Sequence, residues 1–127
     1  MTDSETTLAE LRRIVAEFVD RRDWHQFHTP KNLAMSLSIE AAELMEHFQW
    51  LTAEQSRAVP ERPERLSAVA DELADVLCYV LAMANELGLD LSTALRHKMD
   101  RNEAKYPTPQ YRGRFGPDDP NPASGAE

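Results

Sequence analysis

Glu40 and Glu43 stand three residues apart in "LSIEAAELMEHFQWL", and Glu72 and Asp75 repeat that interval in "DELADVLCYVLAMA". Asp75 is the only charge between Leu73 and Ala84. An isolated carboxylate in so apolar a run costs several kcal/mol unless it is paired or coordinated. Two i, i+3 pairs on facing helices bring four hard oxygen donors to one point, which suits Mg²⁺, with Mn²⁺ as the second fit, rather than zinc. A carboxylate pair at helical spacing is by itself an ordinary solvated feature. What separates these two pairs from that reading is that both lie inside apolar helices. A ferritin-like di-iron bundle would need Glu-x-x-His on two helices, and the positions three after Glu40, Glu43 and Glu72 hold Glu43, Glu46 and Asp75.

Other residues could serve the same chemistry. Lys98, Asn102 and Lys105 fall at i, i+4 and i+7, so they line one helix face suited either to phosphate oxygens or to plain solvation. Tyr79, one turn past Asp75, could reach a phosphate or cap a packed core contact. Trp24, Phe27 and His28, and later Trp50, offer planar surfaces for a base to stack on, although a tryptophan near a helix end also serves as core.

The elements that must position these groups are helical. Leu8, Leu11, Val15, Phe18 and Val19 form one stripe in a first helix over residues 5–22. Thr29 and Pro30 read as the cap and first turn of a second helix running to Leu51. Residues 52–65, with Pro60 and Pro63, read as a loop with room for a short helical turn. A third helix spans Glu64 to Leu87 with Gly88 as its stop, and a fourth starts near Asp90 or Ser92 and ends before Pro107. From Pro107 on the chain holds five of its eight prolines and three of its four glycines, which predicts an extended or disordered tail over 108–127 behind a domain of residues 1–107. The expected fold is all-α, a four-helix bundle.

The second helix has little wet face. Leu33, Leu37, Ala41, Leu44, Phe48 and Leu51 form one arc, Met35, Ile39 and Trp50 a second, and the remaining side carries Ser38 and Ala42. This predicts self-association, as a homodimer or homotetramer. At 127 residues the chain has the length of one domain, and a net charge of −8 argues against nucleic acid or an anionic membrane as partner. No run approaches the length of a bilayer span, the N-terminal residues lack a signal-peptide pattern, and Cys78 is the lone cysteine, so the expected location is the cytoplasm.

"WHQFHTPKNLAMSLSIEAAELMEHFQW", "DELADVLCYVLAMA" and "KMDRNEAKYP" together resemble the all-α nucleoside triphosphate pyrophosphatases of the MazG-like superfamily, above all its single-domain dCTP pyrophosphatase branch, over about residues 8–107. The resemblance implies a Mg²⁺-dependent hydrolase that converts a nucleoside triphosphate, dCTP or a related pyrimidine deoxynucleotide, to the monophosphate and pyrophosphate. It maps metal ligands onto Glu40, Glu43, Glu72 and Asp75, phosphate contacts onto Tyr79, Lys98, Asn102 and Lys105, and the base pocket onto Trp24, His28 and Trp50. It also implies an oligomer, commonly a tetramer, with sites completed at subunit boundaries. Glu43 or Glu46 is then the acceptor of the attacking water's proton. The chain departs from the family pattern at Val15, where animal members of the branch carry histidine, and at Ile39, where longer members carry an extra glutamate. A non-catalytic nucleotide-binding protein of the same fold, or a helical dimerisation module, is the competing expectation.

Overall fold

A computed structural model describes residues 1–121, all of whose regular structure is helical. The described residues fall into two compact units, Met1–Gly88 and the part that begins at Leu89. In the first unit α1 spans Leu8–Arg21, opened by a reciprocal cap in which the Glu10 amide donates to Thr7 Oγ1 at 3.2 Å and the Thr7 amide to Glu10 Oε2 at 2.6 Å. Helix α2 spans Pro30–Glu46, with Thr29 accepting from the Asn32 amide and Pro30 in the first turn. It ends five residues before the expected Leu51. The cause is local, because Thr52 and Gln55 form a second reciprocal cap that opens the short helix α3, Ala53–Arg57. Residues 47–51 must leave the helix to reach it, and the Phe48 and Leu51 amides turn back to the carbonyls of Met45 and Phe48.

A single 3₁₀ turn, Val59–Glu61, leads into α4, Pro63–Leu87, which starts on proline as its first residue and stops at Gly88. Helix α4 is the spine of this unit, packing along α2 and against α1. It runs antiparallel to α2, since Arg65 near its start donates to the carbonyl of His47 just past the α2 terminus while Tyr79, further along, faces Ser36. At its other end Asn85 and Arg12 are doubly linked, Arg12 Nε donating to the Asn85 side chain at 3.0 Å and Asn85 Nδ2 to the Arg12 carbonyl at 3.1 Å. The core between these helices holds Val19, Leu33, Val69, Leu81, Ala82 and Ala84.

The second unit contains α5, Leu91–Lys105, capped by Asp90 on the Thr93 amide, and α6, Thr108–Tyr111. Within the segment expected to be extended, α6 is therefore a helical turn, and its Tyr111 meets Tyr106 edge to face at 5.2 Å. Beyond it buried Asp119 accepts from the amides of Phe115 and Asn121, both at 2.9 Å, while Arg114 donates to the Asp119 carbonyl at 2.8 Å. These bonds, the Asn121 amide first, hold the Asp119 carboxyl below its ordinary range. An Asx turn of this kind has no hydrophobic periodicity to announce it. The rest of the expected tail, 122–127, lies outside the described residues.

No described helix is long and apolar enough to cross a membrane. Gly88 sits at φ 63°, in the left-handed region, with open space around the position a Cβ would take. Gly88→Ala is therefore expected to destabilise through backbone strain alone, by about 1 to 2 kcal/mol. Urea unfolding followed by circular dichroism measures this.

Candidate metal and nucleotide site

The antiparallel register of α2 and α4 sets the chemistry. Glu40 and Glu43 share one face of α2, and Glu72 of α4 comes to meet them, so that one oxygen from each lies within 4.8 Å of the others. Glu40 Oε2 and Glu72 Oε2 are buried without a hydrogen-bond partner. Carboxylate oxygens in that condition are an unstable arrangement without a cation or a shared proton. The Glu40 carboxyl is accordingly pushed up to about 7, first because Glu43 is close enough to hydrogen-bond its protonated form, then by burial, by the charge of Glu43, by a hydrogen bond with Glu72 and by the charge of Asp75.

Asp75 lies outside this three-residue group and is exposed, yet its charge reaches Glu40, Cys78 and Tyr79. Tyr79 is half-buried, and burial first, then Glu40, pushes its hydroxyl above the usual tyrosine value while Ser36 accepts or donates a bond to it. Two polar residues beside the cluster were not foreseen. Ser36 lies four residues before Glu40, and His47 lies seven after it, so both fall on the Glu40 face of the α2 register. His47 Nε2 stands 3.8 Å from Glu72 Oε1. The i, i+4, i+7 spacing was the available signal for both.

The donor set fits a divalent ion. All the converging atoms are carboxylate oxygens, hard donors with unfilled bonding capacity, and three of them converge from two helices whose packing holds their spacing.

Glu46 closes α2 and is exposed, lining an open cleft of about 480 Å³ with His47, Trp50, Leu51, Glu64 and Arg65. Through His47 the cleft borders the carboxylates. Trp50 is 87% exposed there, which excludes the core reading within one chain. Trp24, Phe27 and His28 occupy the loop at the other end of α2. Trp24 packs edge-on against Phe18 at 5.7 Å and lies 6.3 Å from the His28 ring, Phe27 is exposed, and His28 is half-buried with Nδ1 unpartnered. A helix of 17 residues is about 25 Å long, so Trp24 and Trp50 of one chain cannot enclose the same ring. Lys98, Asn102 and Lys105 belong to the second unit, where Lys105 Nζ lies 5.3 Å from the Tyr106 ring centre and Asn102 contacts Met99 Sδ at 3.8 Å.

The raised Glu40 value has a thermodynamic sign. A carboxyl whose folded value exceeds its unfolded one contributes stability that is fully present below the unfolded value, near 4.5, and is lost as pH rises through about 7. Metal-free protein is expected to lose melting temperature across that window, and Glu40→Gln to flatten the slope. Thermal scans of the two proteins in chelator, at half-unit steps of pH, check it.

The MazG-like family model matches residues 35–114. The chain is 43% identical over 110 residues to dCTP pyrophosphatase 1 of Bos taurus, covering 87% of this chain and 65% of that one, and 44% identical over 103 residues to dCTP pyrophosphatase 1 of Homo sapiens, covering 81% and 61%. It thus spans somewhat less than two thirds of the length of these relatives. The crystal structure of a pyrophosphatase from Archaeoglobus fulgidus superposes with a TM-score of 0.71 at 43% identity, over 79% of this chain and 92% of that one.

Proposed function

Because the chain belongs to the MazG-like family, we propose that it is a Mg²⁺-dependent nucleoside triphosphate pyrophosphohydrolase of the cytoplasmic nucleotide pool, converting dCTP or a related pyrimidine deoxynucleotide to the monophosphate and pyrophosphate. The observation that carries this reading is the convergence of Glu40, Glu43 and Glu72 with two buried oxygens unpartnered, in a chain 43% identical to a dCTP pyrophosphatase. In it Glu40, Glu43, Glu72 and Asp75 hold the ion. A bound Mg²⁺ supplies positive charge against the phosphate oxygens and makes the phosphorus more electrophilic. Tyr79, Lys98, Asn102 and Lys105 bind phosphate oxygens, and an oxygen of Glu43 accepts the proton of the attacking water, with exposed Glu46 one turn on as the second candidate. No side chain needs to become covalently linked to the substrate.

Trp24, Phe27, His28 and Trp50 form the base-binding groups. Stacking is worth about 1 to 3 kcal/mol per base and tolerates any of them, so preference for cytosine must come from hydrogen bonds and pocket size. Since Trp24 and Trp50 of one chain stand at opposite ends of α2, a second copy would supply the Trp50 that faces a given Trp24. Exposed apolar residues support that assembly: Leu66, Leu73 and Leu77 recur at i, i+7 and i+11 on α4, and Met35 and Ile39 at i, i+4 on α2. We therefore propose a homodimer or homotetramer. Leu73→Glu with Leu77→Glu is expected to shift the protein toward 14.4 kDa in light scattering and to lower turnover with it.

The deciding experiment presents dCTP, dUTP, dTTP, dATP, dGTP and ribonucleotides with Mg²⁺ and resolves pyrophosphate from orthophosphate. The expected outcome is pyrophosphate release, fastest with dCTP, and loss of at least about a hundredfold in kcat for Glu43→Gln and for Asp75→Asn without loss of helicity. Near wild-type turnover in both variants refutes the metal assignment. Binding without turnover supports a non-catalytic nucleotide-binding protein, and a melting temperature indifferent to both nucleotide and Mg²⁺ supports a plain helical module.

A further inference from the structure

The loop between α1 and α2 is held by an ion pair that the reaction itself does not require. His25 sits in it with both ring nitrogens engaged: Nδ1 lies 2.6 Å from Glu86 of α4, and Nε2 meets Asp20 near the end of α1. A neutral imidazole has one N–H and one lone pair, so only the imidazolium can donate to both carboxylates. Backbone bonds fold the loop on itself and onto its neighbours, Trp24 to Val19, Phe27 and His28 to Trp24, and the Asn32 side chain to Phe27. His25 adds a polar tie from this loop across to α4. Beneath it lies a small cavity lined by Val15, Val19, His28, Ala82 and Asn85 as well as His25 and Glu86. Asp23 holds a left-handed φ of 51°, a conformation that an aspartate tolerates at some cost.

We propose that His25 is a positioning residue, its ring clamped between Asp20 and Glu86 so that the loop presents Trp24 and His28 in a fixed arrangement to a nucleobase. The inference rests on the base-binding reading of that loop. The charged and titratable groups facing the ring are Asp20 from α1, Glu86 from α4, and His28, which lines the same cavity. Asp20 first and Glu86 second raise the His25 value above that of a free histidine. The clamp is complete below the ordinary histidine value and is lost as pH rises through the raised one, when one carboxylate comes to face a lone pair.

The test has an arm without nucleotide and one with it. In Trp50→Phe protein, whose fluorescence then comes from Trp24, a titration from pH 5.5 to 9 is expected to show a transition centred above about 6.5. Glu86→Gln should move its midpoint down, because a carboxylate that favours the cation is gone, and His25→Gln should abolish it. A transition that persists unshifted in both variants arises elsewhere than at His25 and overturns the proposal. In the chain with both tryptophans, His25→Gln at pH 7 is expected to raise the KM for dCTP by about fivefold with kcat within about twofold, the pattern of weakened binding rather than slowed chemistry. Equal KM values and equal pH profiles for wild type and His25→Gln also overturn it. If no nucleotide is hydrolysed at all, the pyrophosphatase reading fails while the fluorescence arm still decides the clamp.

Discussion

The mutual repulsion of Glu40, Glu43 and Glu72 is the constraint on which the rest of the first unit depends. Three carboxylates with oxygens inside 4.8 Å would separate if their helices could slide or splay. They are held by what surrounds them: the α2 and α4 packing around Leu33 and Val69, the Arg65 bond to the His47 carbonyl at one end, and the Arg12 and Asn85 pair joining α1 to α4 at the other. Helix α4 is long because one rigid element must span all these ties. The strain of the cluster is expressed in the proton that Glu40 retains to about pH 7, and a divalent ion can replace that proton. Stability of the unliganded fold and readiness to bind a cation are thus opposed at the same atoms.

The same helix that supplies two of the carboxylates also keeps the aromatic groups apart. Trp24 and His28 precede α2, Trp50 follows it, and the length of α2 fixes their separation. The α1 to α2 loop is ordered by side chains from both flanking layers, Phe18 beneath Trp24 and Glu86 against His25. Trp50, by contrast, stands on a turn created where the Thr52 cap opens α3, with most of its surface in solvent. Its exposure and that of Leu73 and Leu77 leave apolar side chains on the surface that the chain itself does not cover.

Much of the architecture could be read from local signals. The Thr29 and Pro30 start, the Gly88 stop and the Asp90 cap act through the backbone groups of their own neighbours, and each occurs where its residue type predicts. The α2 terminus was misplaced for an equally local reason: Thr52-Ala-Glu-Gln55 carries a capping box that hydrophobic periodicity does not register. The tail offered only proline and glycine, so a turn organised by one buried aspartate had no visible pattern.

For the site, spacing on each helix placed Glu40 with Glu43 and Glu72 with Asp75, because the 3.6-residue period is a property of the chain itself. Which members of the two pairs meet depends on the register between α2 and α4, and that register is set by side-chain packing between residues distant in sequence. It brings Glu72 into the group and leaves Asp75 acting on it through its field. Likewise His47 on Glu72, Ser36 by Tyr79 and His25 between two helices are products of tertiary packing. By itself the sequence determined the helices, their caps and the carboxylates that share a face; the folded structure alone decided which faces meet, since a helical period specifies direction around an axis and says nothing of what lies opposite.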